Sequence, residues 1–591
     1  MRRLAEYVVI LSLIPVQAGS QTVTTVAGTG TYGYSGDNGA AASAQIDTAY
    51  GIAADAQGDV FVADTRNHRV RKISDGLITT VAGNGQAGFS GDGAAAVAAQ
   101  LNFPRGVAVD GQGNLYIADT GNCRVRKVTQ AGIISTVAGT GTAGFAGDGG
   151  AAASAQLSYP EALAVDSAGN LYVADSWNYR VREIATNGKI QTIAGNGSYG
   201  PFGDGGLATA ASLGLIQSLT LDAGGNLYLS DGYNHRVRRV VPGGSISTVI
   251  GGGFGPAVDG GPAASAALKF PKGVAVDGHG NLFVADSLNQ RIRVVSSAGV
   301  IGTIAGAGTA GYSGDGGPAV AAQLNGPSGL AMGPGGALTV SDLWNYRVRG
   351  LTEVVPAVSS VSNAAGGQLG IAPGAYVTIL GTGLAPKTDT WSNSIVNQQL
   401  PTQLDGVTAS VGGNAAYVEY ISPSQINVLA PNVSAGAVQV QVTNSGIASA
   451  PFSSTVQPDS PAFFPWGQYA VATHLDYSLC GKPGMFSGAT TTPAQPGEWI
   501  TLWGTGFGPA GAPPGVATPG GQVYLTTPVT ATLGGENAPV YGGAAVLTAG
   551  EAGLYQVTIQ IPADAANGDA QVRATVGGMQ SPAGVFLTVQ H

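Results

Sequence analysis

Apolar and polar positions along the first 350 residues fall into short alternating runs punctuated by glycine, asparagine and aspartate, which predicts strands and tight turns throughout. One stretch shows the order. Gly106-Val-Ala-Val-Asp110 predicts a short strand, Gly111-Gln-Gly-Asn114 a turn, and Leu115-Tyr-Ile-Ala-Asp119 a strand that returns after a hairpin. Arg124-Val-Arg-Lys-Val128 predicts a third strand and Ile133-Ile-Ser-Thr-Val-Ala138 a fourth. The unit recurs six times, its leading aspartates Asp64, Asp119, Asp175, Asp231, Asp286 and Asp342 lying 55 or 56 residues apart. Each is followed by an asparagine (Asn67, Asn122, Asn178, Asn234, Asn289, Asn345) and an arginine (Arg69, Arg124, Arg180, Arg236, Arg291, Arg347). Four antiparallel strands repeated at a constant period make the blades of a propeller.

The ends of the array predict how the ring closes. An orphan fourth strand, Val23-Thr-Thr-Val-Ala27, precedes the first complete unit, and the last unit stops after its third strand, Arg347-Val-Arg349. Pairing the two completes a sixth blade and removes both exposed edges. After Pro356 the period disappears and a second duplication begins. Ala372-Pro-Gly-Ala-Tyr-Val-Thr-Ile-Leu-Gly-Thr-Gly-Leu384 matches Gln495-Pro-Gly-Glu-Trp-Ile-Thr-Leu-Trp-Gly-Thr-Gly-Phe507, and the register holds through Gln425–Pro431 and Gln556–Pro562. The fold class expected is all-β: a six-bladed propeller over 23–352, then β-sandwiches over 356–458 and 493–591. Residues 459–492 read as an aromatic linker whose Phe463, Phe464 and Trp466 pack between the sandwiches.

The repeat resembles the NHL family, named for an Asn-His-Leu run related to Asn67-His68-Arg69, in its secreted bacterial, teneurin-NHL-like form. The resemblance spans Val23 to about Thr352 and implies a six-bladed propeller without fixing an activity. Some NHL propellers, the peptide-amidating lyases among them, use metal-bound histidines near the axis, and that set does not map onto residues here. The duplicated C-terminal segments resemble the paired immunoglobulin-like (IPT/TIG-like) modules of bacterial surface proteins.

Charge and composition narrow the partners. Lys plus Arg total 25 against 34 Asp plus Glu, a balance that argues against nucleic acid, which needs dense basic neutralisation. Met1-Arg2-Arg3, an apolar run from Tyr7 to Val16 and the small residues of Val16-Gln17-Ala18 read as a signal peptide over 1–18. Its removal predicts a secreted or cell-surface protein without membrane insertion. With only Cys123 and Cys480, no disulfide framework is expected.

The turns between second and third strands, together with the long connections between blades, share what we call the upper face. The connections carry Asp37, Asp92, Asp148, Asp204, Asp259 and Asp315, one aspartate each, which is thin material for a calcium site. Uniform Asp, Asn and Arg residues are expected to build blades: the acids and amides cap turns and the arginines bridge to carboxylates on neighbouring blades. His68 and His235 sit in opposed blades, on the order of 20 Å or more apart at ~4.8 Å per strand, too far to share one zinc. No metal, cofactor or catalytic residue is therefore assigned. What varies is more informative. The turn positions read Arg66, Gly121, Trp177, Tyr233, Leu288 and Trp344, then His68, Cys123, Tyr179, His235, Gln290 and Tyr346. Trp177, Tyr179, Tyr233, Trp344 and Tyr346 are the candidate ligand-binding residues, a platform for a glycan or a protein partner. The function expected is non-catalytic binding or scaffolding. The alternative is a lyase or lactone hydrolase at the mouth of the axial channel, which three convergent His, Asp or Glu residues there would favour.

Overall fold

The computed structural model describes residues 21–591 except 254, 256–257, 354, 387, 396–398, 445–446, 484–489, 509–522 and 549–552, so the predicted leader lies outside the described residues. The chain divides into two compact units, Met1–Glu353 and Val354–His591. Strands and single 3-10 turns make up the regular structure, with no α-helix among the described residues.

In the first unit six antiparallel sheets follow one another along the chain. In the second blade the strands are Val107–Val109, Leu115–Asp119, Arg124–Val128 and Ile134–Ala138, close to the alternation read from sequence. Gln21–Ala27 pairs antiparallel with Arg347–Glu353, Val23 opposite Leu351, and completes the sixth blade. Val23 and Ala27 are fully buried there, so the closing strand brings apolar side chains as well as backbone hydrogen bonds.

The inner strands Ala49–Ala54, Val107–Val109, Pro160–Val165, Ile216–Leu221, Pro271–Val276 and Pro327–Met332 pack in ring order around the axis. Glycine permits their close approach. A Cβ at Gly106 would stand 2.6 Å from the Glu161 carbonyl oxygen, and Gly51, Gly273 and Gly329 face the next blade's backbone just as tightly. Between blades lie separate apolar layers, such as Val62, Ile73, Ile78 and Val348.

The second unit holds two sandwiches. In the first, a sheet containing Ala357–Asn363, Tyr376–Thr382 and Gln425–Leu429 packs on one containing Val407–Val411 and Gly436–Asn444, with Val377, Ile379, Val407 and Val442 in the shared core. The second repeats this with Trp499–Thr505, Tyr555–Gln560, Val529–Leu533 and Gly568–Val576. The segment 459–492 is not a linker. Ala462–Phe463 and Ala472–His474 both pair with Trp499–Thr505, because their alternating apolar residues fill that sheet and its core. Phe463 is buried against Phe507, Phe464 packs on Tyr376 of the first sandwich, and Trp466 is exposed. Hydrogen bonds from Tyr376 N to Thr505 Oγ1 (2.9 Å) and from Asn363 Nδ2 to the Ser460 carbonyl (2.7 Å) tie the two sandwiches together.

Candidate functional site

Each blade carries the same polar frame beneath its upper face. In blade one, Asp64 Oδ1 accepts hydrogen bonds from Asp47 N (2.8 Å) and Asn67 Nδ2 (2.8 Å), and Asn67 also donates to the Gly33 carbonyl (2.7 Å). Arg71 is fully buried between Asp64 (3.4 Å) and Asp37 (2.6 Å). The same fork recurs in the other five blades at Arg126, Arg182, Arg238, Arg293 and Arg349. Its outer partner lies on the connection leading into the same blade, not on a neighbouring blade as the sequence suggested, because that connection folds back over the third strand. Arg69, like Arg124, Arg180 and Arg347, instead donates to backbone carbonyls and stacks on an aromatic ring of the connection, Tyr34 at 3.8 Å.

Burial pushes the Asp64, Asp119 and Asp231 carboxyls up to about 6, against the opposing pull of their asparagine, backbone and arginine neighbours. On the connections the balance reverses. For Asp37 burial is the largest single influence, yet hydrogen bonds from Thr80 and Tyr34 and the Arg71 charge together hold its carboxyl below the usual range. The aspartates of the connections are thus engaged by arginine. Among the described residues no group of three or more His, Cys, Asp or Glu is placed to hold a metal ion.

The variable turns stand above this frame. Each turn is a 3-10 residue triplet ending in a left-handed residue, His68, Cys123, Tyr179, His235, Gln290 or Tyr346, with φ between 50° and 56°. These residues bind the next blade where they can. His68 Nδ1 accepts from Phe103 N (3.1 Å), His235 Nδ1 from Phe270 N (3.0 Å) and Gln290 Oε1 from Gly326 N (2.7 Å). Both histidines therefore act as hydrogen-bond acceptors between blades. Of the five aromatic candidates, Trp177, Tyr233 and Trp344 are 55%, 47% and 48% exposed. Trp177 stacks on Tyr159 with ring centroids 4.3 Å apart, Tyr233 meets Phe270 edge-on at 4.8 Å, and Trp344 lies over Gly326. Tyr179 and Tyr346 are half-buried, against Tyr199 and Tyr32.

A set that the turn comparison missed lies at the upper end of the inner strands. One position per blade, just before the close-packed residue, reads Tyr50, Arg105, Glu161, Gln217, Lys272 and Ser328, and these six side chains surround the axial mouth. Arg105 pairs with Glu161, Gln217 Nε2 donates to Glu161 (2.9 Å), and Tyr50 reaches across the axis to donate to Gln217 Oε1 (2.8 Å). The sequence signal was available: the residue preceding Gly51, Gly106, Gly273 and Gly329 varies in charge while its surroundings repeat. Among the described residues one carboxylate and no histidine line this mouth, where three convergent groups would favour a lyase or lactone hydrolase. A larger groove of about 640 Å³ lies on the opposite face between blades two and three. Its Asp110 and Asp166 are engaged within their own turns by Asn114 with Tyr116 and by Asn170 with Tyr172, which leaves them little capacity for a ligand.

Comparison with known proteins places this geometry. The teneurin NHL domain matches residues 85–146, 140–201 and 255–310, the NHL repeat matches 50–73, and the IPT/TIG domain matches 356–457. Mouse (Mus musculus) teneurin-1 is 30% identical over 278 residues, covering 40% of this chain and 10% of that protein. Teneurin-m of Drosophila melanogaster is 26% identical over 346 residues, 52% of this chain and 12% of that protein. The chain thus spans about a tenth of the length of these relatives. Among solved structures, an auxiliary nutrient binding protein of Bacteroides thetaiotaomicron superposes with a TM-score of 0.42 at 17% identity, covering 57% of this chain and 77% of that one. Virginiamycin B lyase of Staphylococcus aureus gives 0.34 at 14% identity, covering 56% and 100%.

Proposed function

We propose that this chain, an NHL-repeat propeller followed by an IPT/TIG domain and a second sandwich, is an exported, non-catalytic recognition protein that grips a glycan or protein ligand on the upper face of its propeller. The observation carrying this reading is the exposure of Trp177, Tyr233 and Trp344 on a face whose repeated Asp, Asn and Arg side chains are consumed by internal ion pairs and hydrogen bonds. Large rings left in water on a rigid frame are unfavourable unless something covers them. The residue at that turn position differs from blade to blade, as an asymmetric ligand requires. The sandwiches would then serve as stalk or adhesion modules.

The test is a glycan and peptide array probed with the protein and with a Trp177→Ala, Trp344→Ala variant. Aromatic contacts contribute ~0.5–1.5 kcal/mol each beyond burial, so the pair should weaken binding by about tenfold or more while the variant melts normally. Equal binding by both proteins would assign these rings to blade packing alone.

A further inference from the structure

The axial mouth carries two cations, Arg105 and Lys272, against one carboxylate, Glu161. Lys272 is 8% exposed and lines the mouth, yet its ammonium makes no hydrogen bond or ion pair with any described residue. Its neighbours are the faces of Tyr50, 5.0 Å from Nζ to the ring centroid, and Phe270, 5.9 Å away. The carboxylate of the ring, Glu161, is 3% exposed and already engaged by Arg105 and Gln217. Tyr50 spends its proton on Gln217, and Ser328 Oγ donates to the Tyr50 carbonyl (3.0 Å). The donors left over are therefore those of Lys272, the remaining N–H groups of Arg105 and the second amide hydrogen of Gln217, of which only the first two are cationic. Glu161 acts on Lys272 through its charge without touching it, a buried cation lacking a direct anionic contact is costly to hold, and this one faces the open end of a channel.

We propose that the axial mouth binds the carboxylate of a sugar acid, such as a hexuronate, with Lys272 and Arg105 as its cationic clamp and the rings of Tyr233 and Phe270 as the wall against which the sugar lies. The proposal rests on the upper face being the binding face and names the ligand class for it. Charge sets the valence: Arg105 is met by Glu161, one positive charge remains, and a dianionic phosphate would confront Glu161 besides. Space sets the depth. About 50 Å³ is free inside the ring, enough for a carboxylate head and not for a pyranose, which stays above. There it meets Tyr233, whose phenol is near enough to Tyr50 to raise that group electrostatically and whose ring packs on Phe270. A peptide would take its affinity from a free strand edge or an apolar groove, and the mouth offers a point cation beside ring faces instead.

Calorimetric titration of the full-length protein with D-glucuronate, methyl β-D-glucopyranoside and N-acetyl-L-aspartate tests this. Glucuronate is expected to bind at least tenfold more tightly than either of the others, and Lys272→Met to lose at least tenfold of that affinity. Equal glucuronate affinity in the two proteins, or no binding, overturns the site, and tighter binding of N-acetyl-aspartate overturns the sugar in favour of an acidic peptide. Should Lys272→Met not fold, the unmodified protein at pH 7 and pH 10 serves instead. Across that window Lys272, lowered to about 8 by burial and by the Arg105 charge, loses its proton. Arg105 stays charged, Tyr50 is held protonated above the ordinary phenol range by burial and by Glu161, and any further ionisation of Glu161, raised by burial, acts in the same direction. At least tenfold weaker binding at pH 10 is expected, and unchanged binding overturns the proposal. Trp177 and Trp344 lie outside the mouth, so their double variant keeps its glucuronate affinity, and its array result tests the broader reading alone.

Discussion

At position 68 the propeller needs an acceptor for the Phe103 amide, and a neutral imidazole supplies it. Burial and the Arg69 charge hold His68 below the usual imidazole range. Between about 6.5 and that lower value the unfolded chain binds a proton that the folded chain refuses, so this group's contribution is complete above 6.5 and is lost as the pH falls. Gln290 does the same work in blade five without titrating. His68→Gln is therefore expected to melt within about 1 °C of the parent at pH 7 and to lose less on acidification to pH 5, measured by circular dichroism. An equal loss in both would remove His68 from the acid response. Lys272 has a profile of the same sign at higher pH. Its folded value near 8 lies below the unfolded value near 10.5, so its penalty is present at pH 7 and relieved as the pH rises through that interval. Lys272→Met should accordingly raise the melting temperature by a few degrees at pH 7 and by less at pH 10. At this scale the sequence disclosed the aromatic turn positions, because they vary against a fixed Asp, Asn and Arg background. The mouth gave a fainter signal, variation in the residue before each close-packed residue, because Tyr50, Arg105, Glu161, Gln217, Lys272 and Ser328 are 55 or 56 residues apart and meet only where their strands converge on one axis.

Strands were legible wherever the repeat averaged out local ambiguity, as in Leu115–Asp119 and Arg124–Val128. Where no repeat helped, Ala462–Phe463 and Ala472–His474 were too short to be told from a linker, and their place was set by the partner strand Trp499–Thr505. Two expectations belong to this scale. Deleting Gln21–Gly28 strips blade six of its fourth strand and reopens the ring, and should lower the propeller's melting temperature by roughly 10 °C or more. A deletion that melts like the parent would refute closure by that strand. Gly106→Ala places a methyl group against the Glu161 carbonyl and should cost about 1–3 kcal/mol in denaturant unfolding. A neutral substitution would show that the inner strands can spread.

The whole molecule sets a uniform frame beneath an asymmetric surface. Six buried arginines engage the aspartates of the connections, so the ring owes its shape to internal ion pairs and apolar layers between blades. EDTA is therefore expected to leave the melting temperature unchanged. A fall of several degrees restored by calcium would turn the Gly-Asp-Gly connections into cation sites. The recognition reading itself can be measured through the two tryptophans of the propeller, Trp177 and Trp344, both in upper-face turns. The most direct measurement is acrylamide quenching of tryptophan fluorescence with and without a saturating ligand taken from the array, on the protein and on a Trp177→Phe, Trp344→Phe variant. The account predicts that ligand shields the parent from quencher and leaves the variant's remaining tryptophans unaffected. Quenching that ligand does not change in the parent, or that it changes equally in both proteins, would contradict it.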